Sequence, residues 1–117
     1  MGFKTHNSAD ISINGTCFQG YVTSDYSNIV RVFDEPLDGD GYKVDAEWEI
    51  LFDDGLVATI YNWKNGKNYC GYDGLDVEDI RNWHIGGRNP VVVERVKNLL
   101  SDDWESFDYI RQRAVLE

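Results

Sequence analysis

Two histidines and two cysteines are the residues of this 117-residue chain best suited to act as base or nucleophile. A thiolate beside an imidazole makes a nucleophile and base pair, so Cys17 or Cys70 with His84 could form a thiol enzyme site. His84 could also serve a serine, but no Gly-x-Ser-x-Gly segment occurs. Neither cysteine stands in a known local signature. The pattern favours a structural or surface histidine, and we predict no catalytic residue, with a small enzyme using His84 as an alternative.

Aromatic and basic residues gather in the segment 63–69, where Trp63, Lys64, Lys67 and Tyr69 occur. Such a cluster can hold a nucleotide, because a base stacks on an aromatic ring while a phosphate pairs with an ammonium group. The alternative is a strand end followed by a turn with solvated lysines.

The segment Gly86-Gly87-Arg88-Asn89-Pro90 opens a predicted helix. Backbone N–H groups at a helix start, together with Arg88, could hold a phosphate or a carboxylate. The segment lacks the Gly-Lys-Ser/Thr ending of a Walker A loop, and a helix cap with a tight turn is the alternative. The candidate ligand-binding residues are Trp63, Lys64, Lys67, Tyr69, His84 and Arg88.

Acidic residues are concentrated between positions 34 and 54, where nine acids accompany one base. Asp45, Glu47 and Glu49 repeat at every second position, so in a strand they stand about 6.6 Å apart on one face. With Asp53 and Asp54 they form a candidate partner-binding acidic face, directed at a basic surface on another protein. The alternative is an ordinary solvated sheet face.

The net charge of −10 limits the classes of partner. It argues against direct binding to nucleic acid, which needs basic residues to neutralise phosphates, and against anionic membranes. Asp38, Asp40, Asp53 and Asp54 lack the stepping of an EF-hand calcium loop, and no spaced His/Cys ligand set occurs. We therefore expect neither metal nor cofactor, and no membrane association.

Hydrophobic spacing predicts the elements that position these residues. Asn14-Gly15 lies between alternating segments and predicts a hairpin. Tyr26, Ile29, Val30 and Phe33 follow the i, i+3, i+4, i+7 spacing of one helix face. The alternation along 44–52 predicts a half-buried strand, and 56–63 is its return strand after a loop of two or three residues.

The last third of the chain adds a short strand at 83–85 and a helix that begins at Asn89-Pro90. Its apolar face consists of Val92, Val93, Val96, Leu99 and Leu100. A further helix over about 102–116 carries Trp104, Phe107 and Ile110 and would be peripheral to the domain. The prediction is one α+β domain over 1–117, with an antiparallel sheet of four to five strands and two to three helices, mostly on one face.

Three segments resemble small accessory proteins encoded by tailed bacteriophages, a group without an assigned activity. They are Lys-Val-Asp-Ala-Glu-Trp (43–48), Ala-Thr-Ile-Tyr-Asn-Trp-Lys (58–64) and Trp-His-Ile-Gly-Gly (83–87). The resemblance covers roughly residues 13 to 100 and implies no catalytic residue. It implies a context, because small accessory phage proteins act on the host by blocking defence enzymes or redirecting host machinery.

The resemblance and the charge map together lead to an expected function. We expect a phage-encoded, non-enzymatic binding protein in the host bacterial cytoplasm that counters a defence system through its acidic surface. Sequestration of a nucleotide-derived immune signal and a role in the virion or its assembly are the alternatives. A homo-oligomer is compatible with each of them.

Overall fold

The alternating segment forms a central strand of the sheet. The computed structural model describes residues 2–101. Strand β4 (Ala46–Phe52) buries every even-numbered side chain and leaves every odd-numbered one half-buried. One face of β4 therefore belongs to the core, and the opposite face presents Glu47 and Glu49, as the alternation predicts.

Within residues 2–101, five further strands complete one antiparallel sheet. They are β1 (Phe3–Thr5), β2 (Cys17–Thr23), β3 (Leu37–Asp38), β5 (Val57–Tyr61) and β6 (Asn82–Gly87). The strand order is β1-β4-β5-β6-β2, and β3 also pairs with β4. The predicted α+β fold is confirmed, with six strands where four to five were expected. The two short strands β1 and β3 span three and two residues, too few to give a readable alternation.

In the described part of the chain, three α-helices accompany the sheet: α1 (Tyr26–Phe33), α2 (Lys67–Cys70) and α3 (Val91–Leu100). Helix α1 buries Ile29 and Phe33, and α3 buries Val92, Val96 and Leu100, as their spacing predicts. Both helices pack with the sheet into one hydrophobic core, so the two longer helices lie on one face of it. Helix α2 is a single turn that buries no side chain.

Helix α3 begins one residue later than predicted, at Val91, with Pro90 rather than Asn89 at the N-terminal cap position. The Asn89 side-chain oxygen accepts a hydrogen bond from the Val91 amide at 2.9 Å. Pro90 follows Asn89 at a position where the missing N–H costs nothing, because the first amides of a helix have no partner within it. The Asn89 hydrogen bond lies where the chain leaves β6 and enters α3.

Two indole N–H groups tie α1 to the sheet, one at each end of the helix. Trp48 in β4 donates to the carbonyl of Asp34, just after the helix, at 2.7 Å. Trp83 in β6 donates to the carbonyl of Ser24, just before the helix, at 3.0 Å. Both tryptophans are fully buried, and their rings meet edge-on with centroids 5.4 Å apart. Because a buried indole N–H needs an acceptor, the two bonds fix α1 over the middle of the sheet.

The predicted hairpin at Asn14-Gly15 is wrong, although the turn itself is present. The Thr16 amide donates to the Ile13 carbonyl at 3.1 Å, and Gly15 has a φ of +77°. Asn14 keeps a negative φ, whereas the two-residue hairpin turn read from Asn-Gly needs positive values at both positions. The residues before the turn form no strand, and β2 pairs with β6 instead.

The turn between β4 and β5 has three residues, which settles the register left open by the sequence. Leu51 lies opposite Val57, and the Phe52 amide donates to the Leu56 carbonyl at 2.8 Å across Asp53–Gly55. Gly55 has a φ of +91°, as expected for a three-residue hairpin loop that ends in a left-handed residue.

Two further features concern the ends of the chain and its helices. The predicted helix over about 102–116, with Trp104, Phe107 and Ile110, lies outside the described residues. Within residues 2–101, no helix has the length and apolar character needed to cross a membrane.

Replacing Phe33 with Ala tests the packing of α1. Phe33 is 1% exposed, so the truncation should leave a cavity and lower the free energy of unfolding by about 3–5 kcal/mol. Urea denaturation measures the change. Val91→Ala, on the exposed side of α3, is the matched control and should change stability by no more than about 0.5 kcal/mol. Equal, small effects of the two substitutions would contradict the assigned core.

Candidate functional site

The sheet face opposite α1 and α3 carries a row of polar and aromatic side chains. Glu47 lies opposite Tyr61, Tyr61 opposite His84, and His84 opposite Tyr21, so four neighbouring strands each contribute one residue. Because cross-strand neighbours stand on the same face, these side chains share one surface. We call this surface the open face.

Aromatic rings surround His84 on the open face. Tyr61 stacks on the imidazole with centroids 5.4 Å apart and an interplanar angle of 23°. Tyr21 and Phe18 approach the same ring at 5.0 and 5.2 Å. Tyr21 is 63% exposed and Phe18 46% exposed, although both are large and apolar. Large apolar groups left on a surface commonly mark an interaction site.

Burial lowers the pKa of His84, so the imidazole is neutral at neutral pH. Its Nδ1 atom is buried and has no hydrogen-bond partner among the described residues. Unpaired buried polar atoms are uncommon, since an unsatisfied group costs free energy. His84 is therefore a neutral ring on the open face, packed between aromatic side chains.

Neither thiol considered from the sequence pairs with His84. His84 faces Tyr21 in the register, whereas Cys17 faces Gly87, about 10 Å farther along at 3.3 Å per residue. The Cys70 thiol instead donates to the Lys64 carbonyl at 3.2 Å. The structure thus does not bring together the nucleophile and base pair that thiol chemistry requires.

Next to the open face, two lysines and three aromatic residues form a second group, here called the lysine–aromatic cluster (Tyr42, Lys43, Trp63, Lys64 and Tyr69). The ammonium groups of Lys43 and Lys64 lie 5.4 and 5.8 Å from the Trp63 ring centroid. Lys64 also lies 5.4 Å from the ring of Tyr69, and Tyr42 packs against Tyr69 at 5.3 Å. Cation–π contacts at exposed sites contribute about 0.5–1 kcal/mol each, enough to hold the ammonium groups near Trp63.

Backbone hydrogen bonds assemble this cluster from two distant segments. The Lys64 amide donates to the Lys43 carbonyl at 2.8 Å. Asp40 accepts the amides of Tyr42, Lys43 and Val44 with one carboxylate oxygen, which shapes the preceding loop. Asp40 thus acts as a turn residue. The sequence indicated Trp63, Lys64 and Tyr69 but missed Tyr42 and Lys43. The available signal was that Lys43 is the single base within an acidic segment.

Trp63 connects the lysine–aromatic cluster with the open face. Its ring centroid lies 6.4 Å from that of Tyr61 and 6.4 Å from that of His84. Trp63 is 40% exposed, so one part of the indole remains free to contact a ligand.

A cavity of about 230 Å³ opens beside Trp63. Its lining includes Trp63, Tyr61, Glu47, Thr59 and Gly86. A side chain at position 86 would bring its Cβ to 2.5 Å from the Thr59 hydroxyl oxygen, so this part of the lining has no room for a residue other than glycine unless Thr59 moves. The volume is below the 300–1,000 Å³ of pockets that enclose drug-sized ligands, and it suits a single ring system.

Glu47 gives the cavity its charged group. Burial, followed by the negative charge of Glu49 and a hydrogen bond with it, raises the pKa of Glu47 to about 7. The two carboxyl groups share one face of β4, so charging both at once is unfavourable. Glu47 consequently changes its protonation state near neutral pH.

The other predicted acidic residues are engaged within the protein. The Asp45 carboxylate accepts from the Asn62 side chain at 2.9 Å and from the Asn68 amide at 3.2 Å, which anchors the loop after β5. Asp53 accepts the Gly2 amide at 3.1 Å. Asp54 binds Arg95 through two hydrogen bonds of 2.9 and 2.7 Å.

The pKa of Asp54 is lowered to about 2, mainly by its hydrogen bonds with Arg95. Of the five predicted acids, only Glu47 and Glu49 therefore present carboxylates on the open face. Asp53 and Asp54 stand at the β4–β5 turn, beyond the end of that face.

Two of the predicted ligand-binding residues, Arg88 and Lys67, are bonded to other parts of the protein. The Arg88 guanidinium donates to the carbonyls of Asn14 and Ser12 at 2.8 and 2.9 Å, holding the segment before β2 in place. Lys67 forms an ion pair with Asp76 at 3.7 Å. Sequence spacing could not indicate these partners, which lie 74, 76 and 9 positions away along the chain.

Metal ligation is not provided by the part of the chain that the structure describes. Within residues 2–101, no group of three His, Cys, Asp or Glu side chains is arranged to hold a metal ion. The site is thus built from rings, two ammonium groups and one titrating carboxyl group.

Comparison with known proteins gives no relative to compare these groups with. No family model, no curated protein and no solved structure matches the chain.

Replacing Glu47 with Gln tests its titration near neutral pH. A carboxyl whose pKa rises from 4.5 to about 7 on folding lowers the free energy of unfolding as pH rises between those values. Allowing for solvent around a half-buried group, the loss is about 1–2 kcal/mol, and the substitution should remove it. The variant should therefore be more stable than the wild type at pH 8 and should gain little at pH 5.

Urea denaturation at the two pH values provides the measurement. Glu78→Gln, at an exposed position, is the control and should leave the pH dependence unchanged. A Glu47→Gln profile parallel to that of the wild type would contradict the assignment.

Proposed function

We propose that this protein binds a small nucleotide without acting on it chemically, and that the site is the cavity beside Trp63. The observation that carries the proposal is the double role of Trp63. One ring lines a cavity sized for a single ring system and also lies 5.4 and 5.8 Å from two lysine ammonium groups. A planar base and a phosphate are two parts of one molecule that need such neighbours.

The base would be held by stacking. Trp63 and Tyr61 stand edge-on in the cavity wall, with an interplanar angle of 80°, so a flat ring can stack on one and meet the edge of the other. Base–aromatic stacking contributes about 1–3 kcal/mol per base, which makes Trp63 the residue on which affinity should depend most.

The phosphate would be held by Lys43 and Lys64. Their ammonium groups approach Trp63 from the loop before β4 and from the loop after β5. A net charge of −10 repels a polyanion, so a local pair of lysines suits one or two phosphates rather than a nucleic-acid chain. The site, with one pair of lysines, thus favours a free nucleotide as ligand.

Non-enzymatic binding is the reading that fits these groups. His84 is a neutral ring enclosed by aromatic side chains, and neither thiol stands next to it. The groups at the cavity supply stacking, hydrogen bonding and charge, which together retain a ligand.

The resemblance to phage accessory proteins gives this activity a context. We propose that the ligand is a nucleotide-derived signal of a bacterial defence system, which the protein would sequester in the host cytoplasm. The alternative mechanism, an acidic face that covers a basic host surface, has less support because Asp45 and Asp54 are bonded within the protein. Roles in the virion or its assembly have no observation on the open face in their favour.

Trp63→Ala and the pair Lys43→Gln with Lys64→Gln test the binding site. Calorimetric titration with 5′-GMP and 5′-AMP should show affinity falling about tenfold or more for Trp63→Ala, because stacking is lost. The lysine pair should weaken binding and reduce its salt dependence. Lys97→Gln, on the exposed side of α3, is the matched control and should bind as the wild type does.

The outcome separates the two mechanisms. Absence of nucleotide binding by the wild type would overturn the proposal. The double variant Glu49→Lys with Asp53→Lys and the variant Trp63→Ala are compared for inhibition of the host defence. If the double variant no longer inhibited the defence while Trp63→Ala still did, the acidic-face mechanism would replace nucleotide sequestration.

A further inference from the structure

We propose that the cavity recognises a guanine base, with the Glu47 carboxylate accepting hydrogen bonds from the N1–H and the exocyclic amino group on the base edge. This inference rests on the proposed nucleotide binding and specifies which nucleotide is bound. It follows from the position and the charge of one carboxyl group that the fold leaves in the cavity wall.

Glu47 is placed to read the edge of a base. It lines the same cavity as Trp63 and Tyr61, so a ring stacked on either of them lies beside its carboxyl group. Tyr61 is also its direct cross-strand partner. A stacked ring has its edge, rather than its face, directed at the neighbouring wall, and the edge is where bases differ.

The protonated carboxyl of Glu47 forms a side-chain hydrogen bond with Glu49, and ionisation of Glu47 removes that bond and leaves its oxygens as acceptors. The acids Asp45, Asp53 and Asp54 all accept hydrogen bonds from groups of the protein itself. Glu47 forms no ion pair with another residue of the described chain. A half-buried carboxylate gains from donors, since hydrogen bonds to a charged group stabilise it more than bonds to a neutral one.

Guanine matches an ionised carboxylate better than the other bases. Its Watson–Crick edge presents two adjacent donors, N1–H and the amino group, which fit the two oxygens of a carboxylate. Adenine presents one donor beside the N1 acceptor, and that acceptor would face a carboxylate oxygen. Hypoxanthine retains N1–H and lacks the amino group, so it separates the contributions of the two donors.

The titration of Glu47 adds a dependence on pH. Guanine binding stabilises the charged carboxylate, so binding should release a proton and become stronger as pH rises through about 7. The groups facing Glu47 are Glu49 on its own strand, Asp40 in the preceding loop, Tyr61 on β5 and Cys17 on β2. Because these groups are common to every ligand, the ratio of affinities for two nucleotides isolates the contact with the base.

Calorimetric titration of the full chain with 5′-GMP, 5′-IMP and 5′-AMP at pH 8 tests the inference. The three nucleotides share ribose and phosphate, so differences in affinity belong to the base. We expect GMP to bind about tenfold or more tightly than AMP, with IMP between them. The ratio of GMP to AMP affinity should fall at pH 6.

Glu47→Gln provides the second arm. Its amide keeps the shape of the side chain but presents one donor and one acceptor, so the preference for GMP and its pH dependence should both disappear. Glu78→Gln, at an exposed position outside the cavity lining, is the matched control and should retain both the preference for GMP and its pH dependence. Melting curves of both variants verify that each is folded.

The results distinguish failure of the inference from failure of the proposed function. Equal affinity for the three nucleotides, with loss of binding in Trp63→Ala, would overturn guanine recognition and leave nucleotide binding intact. A preference for AMP would also overturn it. Absence of binding by all three nucleotides would overturn both.

Discussion

The structure depends on two buried indole groups that must find hydrogen-bond acceptors. Trp48 and Trp83 bond the carbonyls at the two ends of α1, which holds that helix against one face of the sheet. Helix α3 packs into the same core, so no described helix of more than one turn covers the opposite face. Because side chains alternate along a strand, burying these tryptophans turns their neighbours Glu47 and His84 to the open side.

Much of the fold could be predicted from the sequence because its signals are local. The alternation in β4 and the spacing of α1 and α3 each concern residues within ten positions of one another, and the structure confirms them. The hairpin at Asn14-Gly15 failed because the sign of φ at Asn14 decides between turn types and is not fixed by the residue pair. Only long-range pairing selects β6 as the partner of β2.

The candidate site was partly predictable. The sequence indicated the exposed side of Glu47, the aromatic character of Trp63 and the positive charge of Lys64. It could not indicate that Arg88 donates its hydrogen bonds to a segment more than 70 residues away, or that Asp45 anchors a loop. Composition shows which charges exist, whereas the fold determines which of them already have partners. For this reason the cavity beside Trp63 is a better candidate for binding than the acidic face.

We propose that the open face, and not the helical face, receives the ligand. Nuclear magnetic resonance with ¹⁵N-labelled protein and 5′-GMP tests it most directly, because indole and amide signals report separately on the two faces. We predict that the Trp63 indole and the amides of Glu47 and Tyr61 shift on addition of the nucleotide, while the Trp48 and Trp83 indoles keep their positions. Shifts confined to the buried indoles and to α1 and α3, with Trp63 unchanged, would contradict binding at the open face.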